Sequence, residues 1–308
     1  MTSAIKQRKI WFFFSSIMVL ASIVAFLVVG LNLGIDFTGG SLLEIEFKTI
    51  TRPTSQEIVA LLEEFDIGTI VAQPIGDNGF ILRFRDIDED LHQKILSTMR
   101  QKLSLNSNEL AAEEIFIEKR FESIGPSIGQ ELKRKTFWAI LIVLLAIIIY
   151  IAWAFRRVSK PIASWKYGLI AVVTLFHDII ITVGIFVVLG KLYGIEANAA
   201  FVAALLTILG YSVNDTIVVF DRIRENLIRN TGEEFEKNIQ NSVNEVITRS
   251  INTSFTTLLT LFAIFLFGGQ TIRSFTLTLI VGISIGTYSS IFLASPLLLA
   301  WEKLKTKK

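Results

Sequence analysis

Six stretches of this 308-residue chain are long enough to cross a bilayer and carry almost no charge. No charged residue lies between Lys9 and Asp36, or between Lys135 and Arg156. Tyr167–Gly190 carries only His177 and Asp178, and Ala197–Phe220 carries only Asp215. Ser250–Ile272 and Ser274–Trp301 carry none. In hydrocarbon every backbone N–H and C=O must be satisfied within the chain, so such runs fold as helices, and about 20 residues suffice to span. A single run of this kind also fits a helix buried in a soluble core; six together predict an α-helical membrane protein with six transmembrane helices. The apolar share of 52% agrees. The first run is too long, and too poor in a small-residue cleavage site, for a secretory signal, so it reads as an uncleaved first span.

The basic residues orient the spans. Lys6, Arg8 and Lys9 precede the first; Arg156, Arg157, Lys160 and Lys166 lie between the second and third. Arg222, Arg224 and Arg229 follow the fourth, and Lys303, Lys305, Lys307 and Lys308 close the chain. With alternating spans all of these fall on one side, which predicts cytoplasmic termini. Lys133, Arg134 and Lys135 fall on the other side, but they follow a long segment that is translocated whatever its charge.

That segment, residues 36–132, has a globular pattern. Leu42–Phe47, Thr69–Ile75, Phe80–Phe84 and Ile115–Phe121 read as strands; Ser55–Phe65, after a Thr54/Ser55 cap, and Leu91–Leu103 read as helices. The order βαββαβ predicts an α+β ferredoxin-like domain outside the cytoplasm. The predicted organisation is a cytoplasmic N-terminus with the first span (1–35), this domain (36–132), and a five-helix membrane domain (133–308) with a charged, amphipathic cytoplasmic segment at 221–248. No cysteine is present, which excludes disulfides and thiolate metal sites, and His92 and His177 are too few for a histidine metal cluster. No phosphate-binding glycine loop with a following lysine occurs, nor a Ser–His–Asp set in the soluble segment. The expectation is a protein that is no enzyme and holds no metal or cofactor, with His92 a surface helix residue. The net charge of +2 offers no argument for nucleic acid.

The chemistry is inside the membrane. A carboxylate at membrane depth costs roughly 2.5–3.5 kcal/mol on insertion scales, so Asp215 should face the protein interior. It lies six residues before Asp221, about 9 Å into the inner half. Tyr211 and Ser212 sit one turn before it and Asn214 beside it. It is either a titrating group or a packing device that bonds to neighbouring helices. From Arg249 a polar stripe runs through Asn252, Thr253, Thr256 and Thr260, which either packs helices or lines a hydrated path; Arg249 is placed to approach Asp215. His177 and Asp178, near mid-membrane, are a second relay element or a structural network. Gly282, Gly286 and Ser290 form a small-residue packing face without assigned chemistry, and Gly30 and Gly34 are read the same way.

Several motifs resemble the SecF family, the smaller partner of SecD in bacterial protein export. They are Gly34-Ile-Asp-Phe-Thr-Gly-Gly40, with Asp36 and Gly39 inside it, and Ile124-Gly-Pro-Ser-Ile-Gly129, with Gly125 and Pro126. To these add His177-Asp178, the run Gly210–Asn226 around Tyr211-Ser-Val-Asn-Asp-Thr216, and Arg249–Leu259. The match runs along nearly the whole chain. The resemblance implies membership of the resistance-nodulation-division superfamily and a heterodimer with SecD in the bacterial cytoplasmic membrane. It implies work beside the SecY–SecE–SecG channel and the SecA motor on a translocating polypeptide. A proton gradient, or sodium in some relatives, would drive it, with Asp215 and Arg249 as ion-coupling residues. The rival readings are a small-molecule or lipid exporter of that superfamily and a non-conducting assembly subunit.

Overall fold

A computed structural model describes residues 5–48, 52–106, 115–154, 163–229 and 232–306. Of the basic residues used above, Arg156, Arg157, Lys160, Lys307 and Lys308 lie outside these. The chain divides into two compact units, Leu33–Lys135 and the remainder.

The first unit holds a four-stranded antiparallel sheet in the order β2-β3-β1-β4, built from β1 (Gly40–Phe47), β2 (Val71–Ile75), β3 (Gly79–Phe84) and β4 (Phe116–Ile124). With α3 (Ser55–Leu62) after β1 and α4 (Glu89–Asn106) after β3, this is the ferredoxin-like arrangement. Thr54 caps α3 in a full capping box with Glu57, which satisfies two donors that a helix start otherwise leaves open. Thr54's backbone N–H and hydroxyl together hold the Glu57 carboxyl below its ordinary range. Pro74 sits on β2, an edge strand, where its missing N–H costs no ladder bond. Leu43, Ile45, Phe47, Phe80, Leu82 and Phe116 fill the core beneath α3 and α4. A register shift between Glu44 and Ile45 interrupts the β1–β4 ladder, and Ile117 is exposed while Phe116 is buried.

A preceding short helix, α2 (Ile35–Thr38), brings two sequence motifs together. Gly39 has φ +75°, and a Cβ there would lie 2.9 Å from the Cα of Pro126. A Cβ on Gly129 would lie 3.1 Å from the Gly39 nitrogen. Residues 34–40 and 124–129 are therefore two sides of one close backbone crossing, which only glycines permit.

The second unit is a helix bundle. Its spans are α1 (Arg8–Val29), α5 (Pro126–Ala154), α6 (Ser164–Tyr193), α7 (Ala199–Arg229), α8 (Phe235–Phe267) and a composite last span. The last span consists of α9 (Gln270–Ser289), a π-helical turn (Ser290–Ala294) and α10 (Ser295–Thr306). The apolar stretches of α6, α7 and the last span are 56%, 50% and 61% buried, against 11% for each of α1, α5 and α8, so the former three form the interior. Within residues 221–248, α7 runs on to Arg229 and α8 starts at Phe235; Ile223, Asn226, Ile239, Ser242 and Val243 are buried while Asp221 and Glu245 are exposed. Gly30 does not pack helices. Gly30 ends α1 with φ +77° and has open space around it, and Gly34 is the extended residue before α2. Gly282 and Gly286 do: a Cβ at the first would strike the Ile208 side chain, and at the second would lie 2.9 Å from the Cβ of Ser212.

Candidate functional site

Close approach of the last span to α7 places two buried aspartates in one polar layer. Asp178 on α6 is fully buried. Its Oδ2 accepts from the hydroxyls of Ser212 on α7 at 2.6 Å and Ser289 on α9 at 2.8 Å. Its Oδ1 lies 2.9 Å from Nδ1 of His177. Asp215 on α7 has Oδ1 accepting from Ser250 of α8 at 2.6 Å and Oδ2 accepting from Ser290. Among the described residues, each carboxylate is met by hydroxyl donors and by no lysine or arginine.

The donors to the two carboxylates come from neighbouring positions. Ser212 and Asp215 are one turn apart on α7, and Ser289 and Ser290 are adjacent on the last span. A second hydroxyl cluster lies alongside: Tyr211 reaches Ser254 and Thr257 of α8 at 3.4 Å each, and Thr287 donates to Ser254 at 2.6 Å. Tyr288 stacks near His177, with ring centroids 6.3 Å apart, and its hydroxyl meets Ser15 of α1 at 3.1 Å. The His177 Nε2 is buried without a hydrogen-bond partner.

The structure brings some sequence-derived residues together and separates others. Asp215, Ser212, His177 and Asp178 share the buried layer. Arg249 does not reach Asp215: it is exposed, no ion pair is formed by its guanidinium among the described residues, and its place beside the carboxylate is taken by Ser250. Asn214 is exposed as well. Asn252, Thr253, Thr256 and Thr260 lie on the outer surface of α8, and the threonine hydroxyls turn back onto helix carbonyls, Thr253 onto Arg249 and Thr260 onto Thr256. The inward stripe is Ser250, Ser254 and Thr257, one residue further on, and one residue turns a helix by about 100°. Hydroxyls occupy both faces of α8, so spacing alone does not select between them. Ser289 is another residue missed. Its signal is the Ser-Ser pair directly after Gly282 and Gly286, whose lack of side chains lets α7 come near enough to bond.

In the ferredoxin-like unit, His92 is not a surface residue. It is buried, stacked on Phe121 with centroids 3.7 Å apart, and lies 3.2 Å from Glu89 and 3.3 Å from Glu118. The bonds from Gln93 and His92 hold the Glu89 carboxyl below its ordinary value.

With the geometry in hand, similarity is informative. Residues 106–304 match the family described as protein export membrane protein SecD/SecF, C-terminal, and residues 24–49 match the SecD/SecF GG motif. The chain is 39% identical to the protein translocase subunit SecF of Thermobaculum terrenum, across 98% of this chain and 94% of the relative. It is likewise 39% identical to that of Anaerolinea thermophila, over 98% and 94%. Among solved structures it resembles SecDF, a translocon-associated membrane protein from Thermus thermophilus, with a TM-score of 0.81 and 28% identity. That match covers 98% of this chain and 39% of the solved one. SecDF in its super-membrane-facing form gives a TM-score of 0.67 at 28% identity, over 99% and 39%.

Proposed function

Because the chain belongs to the SecF family of protein translocase subunits, we propose that it uses an ion gradient, taken up at Asp215, to assist polypeptides across the cytoplasmic membrane. One observation supports the ion-coupling part: a carboxylate within a membrane span, enclosed by hydroxyl donors and lacking a fixed cationic partner among the described residues. Protonation would cost it no salt bridge, and either charge state finds hydrogen bonds. One proton crossing 100 mV gains about 2.3 kcal/mol, enough to bias a two-state conformational change.

The exposed face of α8 supports a partner subunit. Arg249 and Asn252 are exposed on a helix of a membrane bundle, where lipid contact is costly. A second polytopic unit of the SecD kind covers them in the working protein, and Arg249 acts from that shared surface. The assembled pair works beside the SecY–SecE–SecG channel and the SecA motor, with both termini cytoplasmic and residues 36–132 outside. The subunit transduces energy and is no enzyme.

The test is export of a secretory precursor into inverted membrane vesicles supplied with ATP, with and without an imposed gradient. Vesicles lacking this subunit are expected to lose the gradient-dependent increment and keep the ATP-driven part. An increment that survives its removal rejects the reading.

A further inference from the structure

The last span changes helical register at the level of the two aspartates, and the sequence gives it a reason to be soft there. Pro296 follows the π-helical turn Ser290–Ala294 closely. Proline has no N–H and its ring crowds the carbonyl four residues back, so the preceding turn must open or kink. Two registers of that turn are then close in energy, and side-chain bonds decide between them. π-turns inside α-helices occur often at functional sites.

The deciding bonds are those of adjacent serines to separate carboxylates. Ser289 donates to Asp178 and Ser290 to Asp215. Neighbouring positions of a regular helix point about 100° apart, so a change of register moves both hydroxyls. The surroundings of the two carboxylates differ. Asp178 carries three contacts, from Ser212, Ser289 and His177, and is fully enclosed. Asp215 carries two, from Ser250 and Ser290, and borders the exposed Asn214. We propose that Asp178 is an anchor: through Ser289 it holds the last span in the π-register in which Ser290 meets Asp215, so that proton uptake by Asp215 alone frees that register. The inference rests on the ion-coupling reading of Asp215 and adds a positioning residue and a moving part. Among the other titratable and charged groups on the elements packed around Asp215 are His177 and Asp178 on α6, Tyr211, Asp221 and Arg222 on α7, Glu245 and Arg249 on α8, and Arg273 and Tyr288 on α9.

The balance is simple. In its ionised state Asp215 accepts from Ser250 and Ser290. A proton arriving on Oδ2 turns that oxygen into a donor and weakens the Ser290 bond, which frees the π-turn, while the Ser289–Asp178 bond keeps the end of α9 in place.

The experiment uses the full chain assembled with its partner subunit in proteoliposomes, and reads gradient-driven export against pH. Ser290→Ala removes one donor from the Asp215 carboxylate, so the half-maximal pH should rise by about one unit. Ser289→Ala touches no atom of Asp215, yet by loosening the anchor it should also raise the half-maximal pH, by a smaller step. Ser289→Thr, which keeps the hydroxyl, should restore the wild-type profile. Pro296→Ala, which firms the regular helix, should shift the profile in the same direction as Ser289→Ala. If Ser290→Ala shifts the profile and Ser289→Ala leaves it in place at full assembly, the anchor is refuted while Asp215 coupling stands. If neither serine shifts it and Asp215→Asn retains the gradient effect, the coupling reading itself falls, and the anchor with it.

Discussion

The ferredoxin-like domain and the helix bundle are parts of one chain that solve opposite solvation problems. Among the described residues, the domain buries Leu43, Ile45, Phe80 and Leu82 and encloses few polar side chains, notably Ser41 and His92. The bundle exposes Phe13, Leu27, Phe137, Ile149 and Phe267, and encloses Asp178, Ser212, Asp215, Ser250, Ser254, Ser289 and Ser290. In water, removal of apolar area from solvent identifies the interior. In lipid the outside is as apolar as the inside, so packing of small residues and hydrogen bonds between helices identify it instead. The two regions should therefore respond to different substitutions.

The largest effects are expected where backbones touch. Gly282→Leu puts a side chain into Ile208 and should prevent normal association of the last span with α7. Fluorescence-detected size exclusion in mild detergent should show loss of most of the monodisperse protein; a normal peak would mean that the interface yields. Next is the domain core: Phe80→Ala should cost about 3–5 kcal/mol, read as easier proteolysis of residues 36–132 while the bundle remains intact. Smaller is Ser250→Ala, which removes a charge-assisted bond from Asp215, with an expected loss of about 1.5–3 kcal/mol. Thr253→Ala, on the outer face three residues away, should leave the stability of the isolated chain within about 0.5 kcal/mol. Equal losses from the two changes would erase the distinction between inner and outer stripes of α8.

The smallest effect concerns pH in the ferredoxin-like domain. Glu89 is held below its ordinary value of 4.5, chiefly by Gln93. A depressed carboxyl contributes stability above its unfolded pKa, and that contribution is lost as pH falls through the folded one. Gln93→Ala should therefore lower the domain's melting temperature slightly at about pH 7 and converge on the wild type near about pH 3. A difference that grew on acidification would contradict the assignment.

What could be read from the sequence differs between the regions for the same reason. Strand order and helix caps of the domain follow from alternation at Leu42–Phe47 and Phe80–Phe84 and from Thr54 with Glu57, because water makes one face apolar. The bulge at Glu44/Ile45 was not legible, since an inserted residue leaves composition unchanged. His92 misled because a polar residue on an amphipathic helix suggests solvent, whereas its ring stacks on Phe121 of strand β4. In the bundle the spans and the buried Asp215 were visible as breaks in the hydropathy. The rotation of α8 was not: Arg249 and Ser250 are equally polar to a pattern, and the partner of Asp215 depends on a turn of one residue. The π-turn was signalled only by Pro296, whose effect depends on what the preceding turn can bond to.

The central claim is that Asp215 carries charge and does more than bond its neighbours. Asp215→Asn keeps nearly the same volume and can still accept from Ser250 or Ser290, but it cannot titrate. The decisive measurement is gradient-stimulated export in vesicles holding this variant, assembled with its partner at wild-type level. The expected result is normal ATP-driven export with the gradient-dependent increment abolished. An undiminished increment would contradict the account and leave Asp215 as a structural residue.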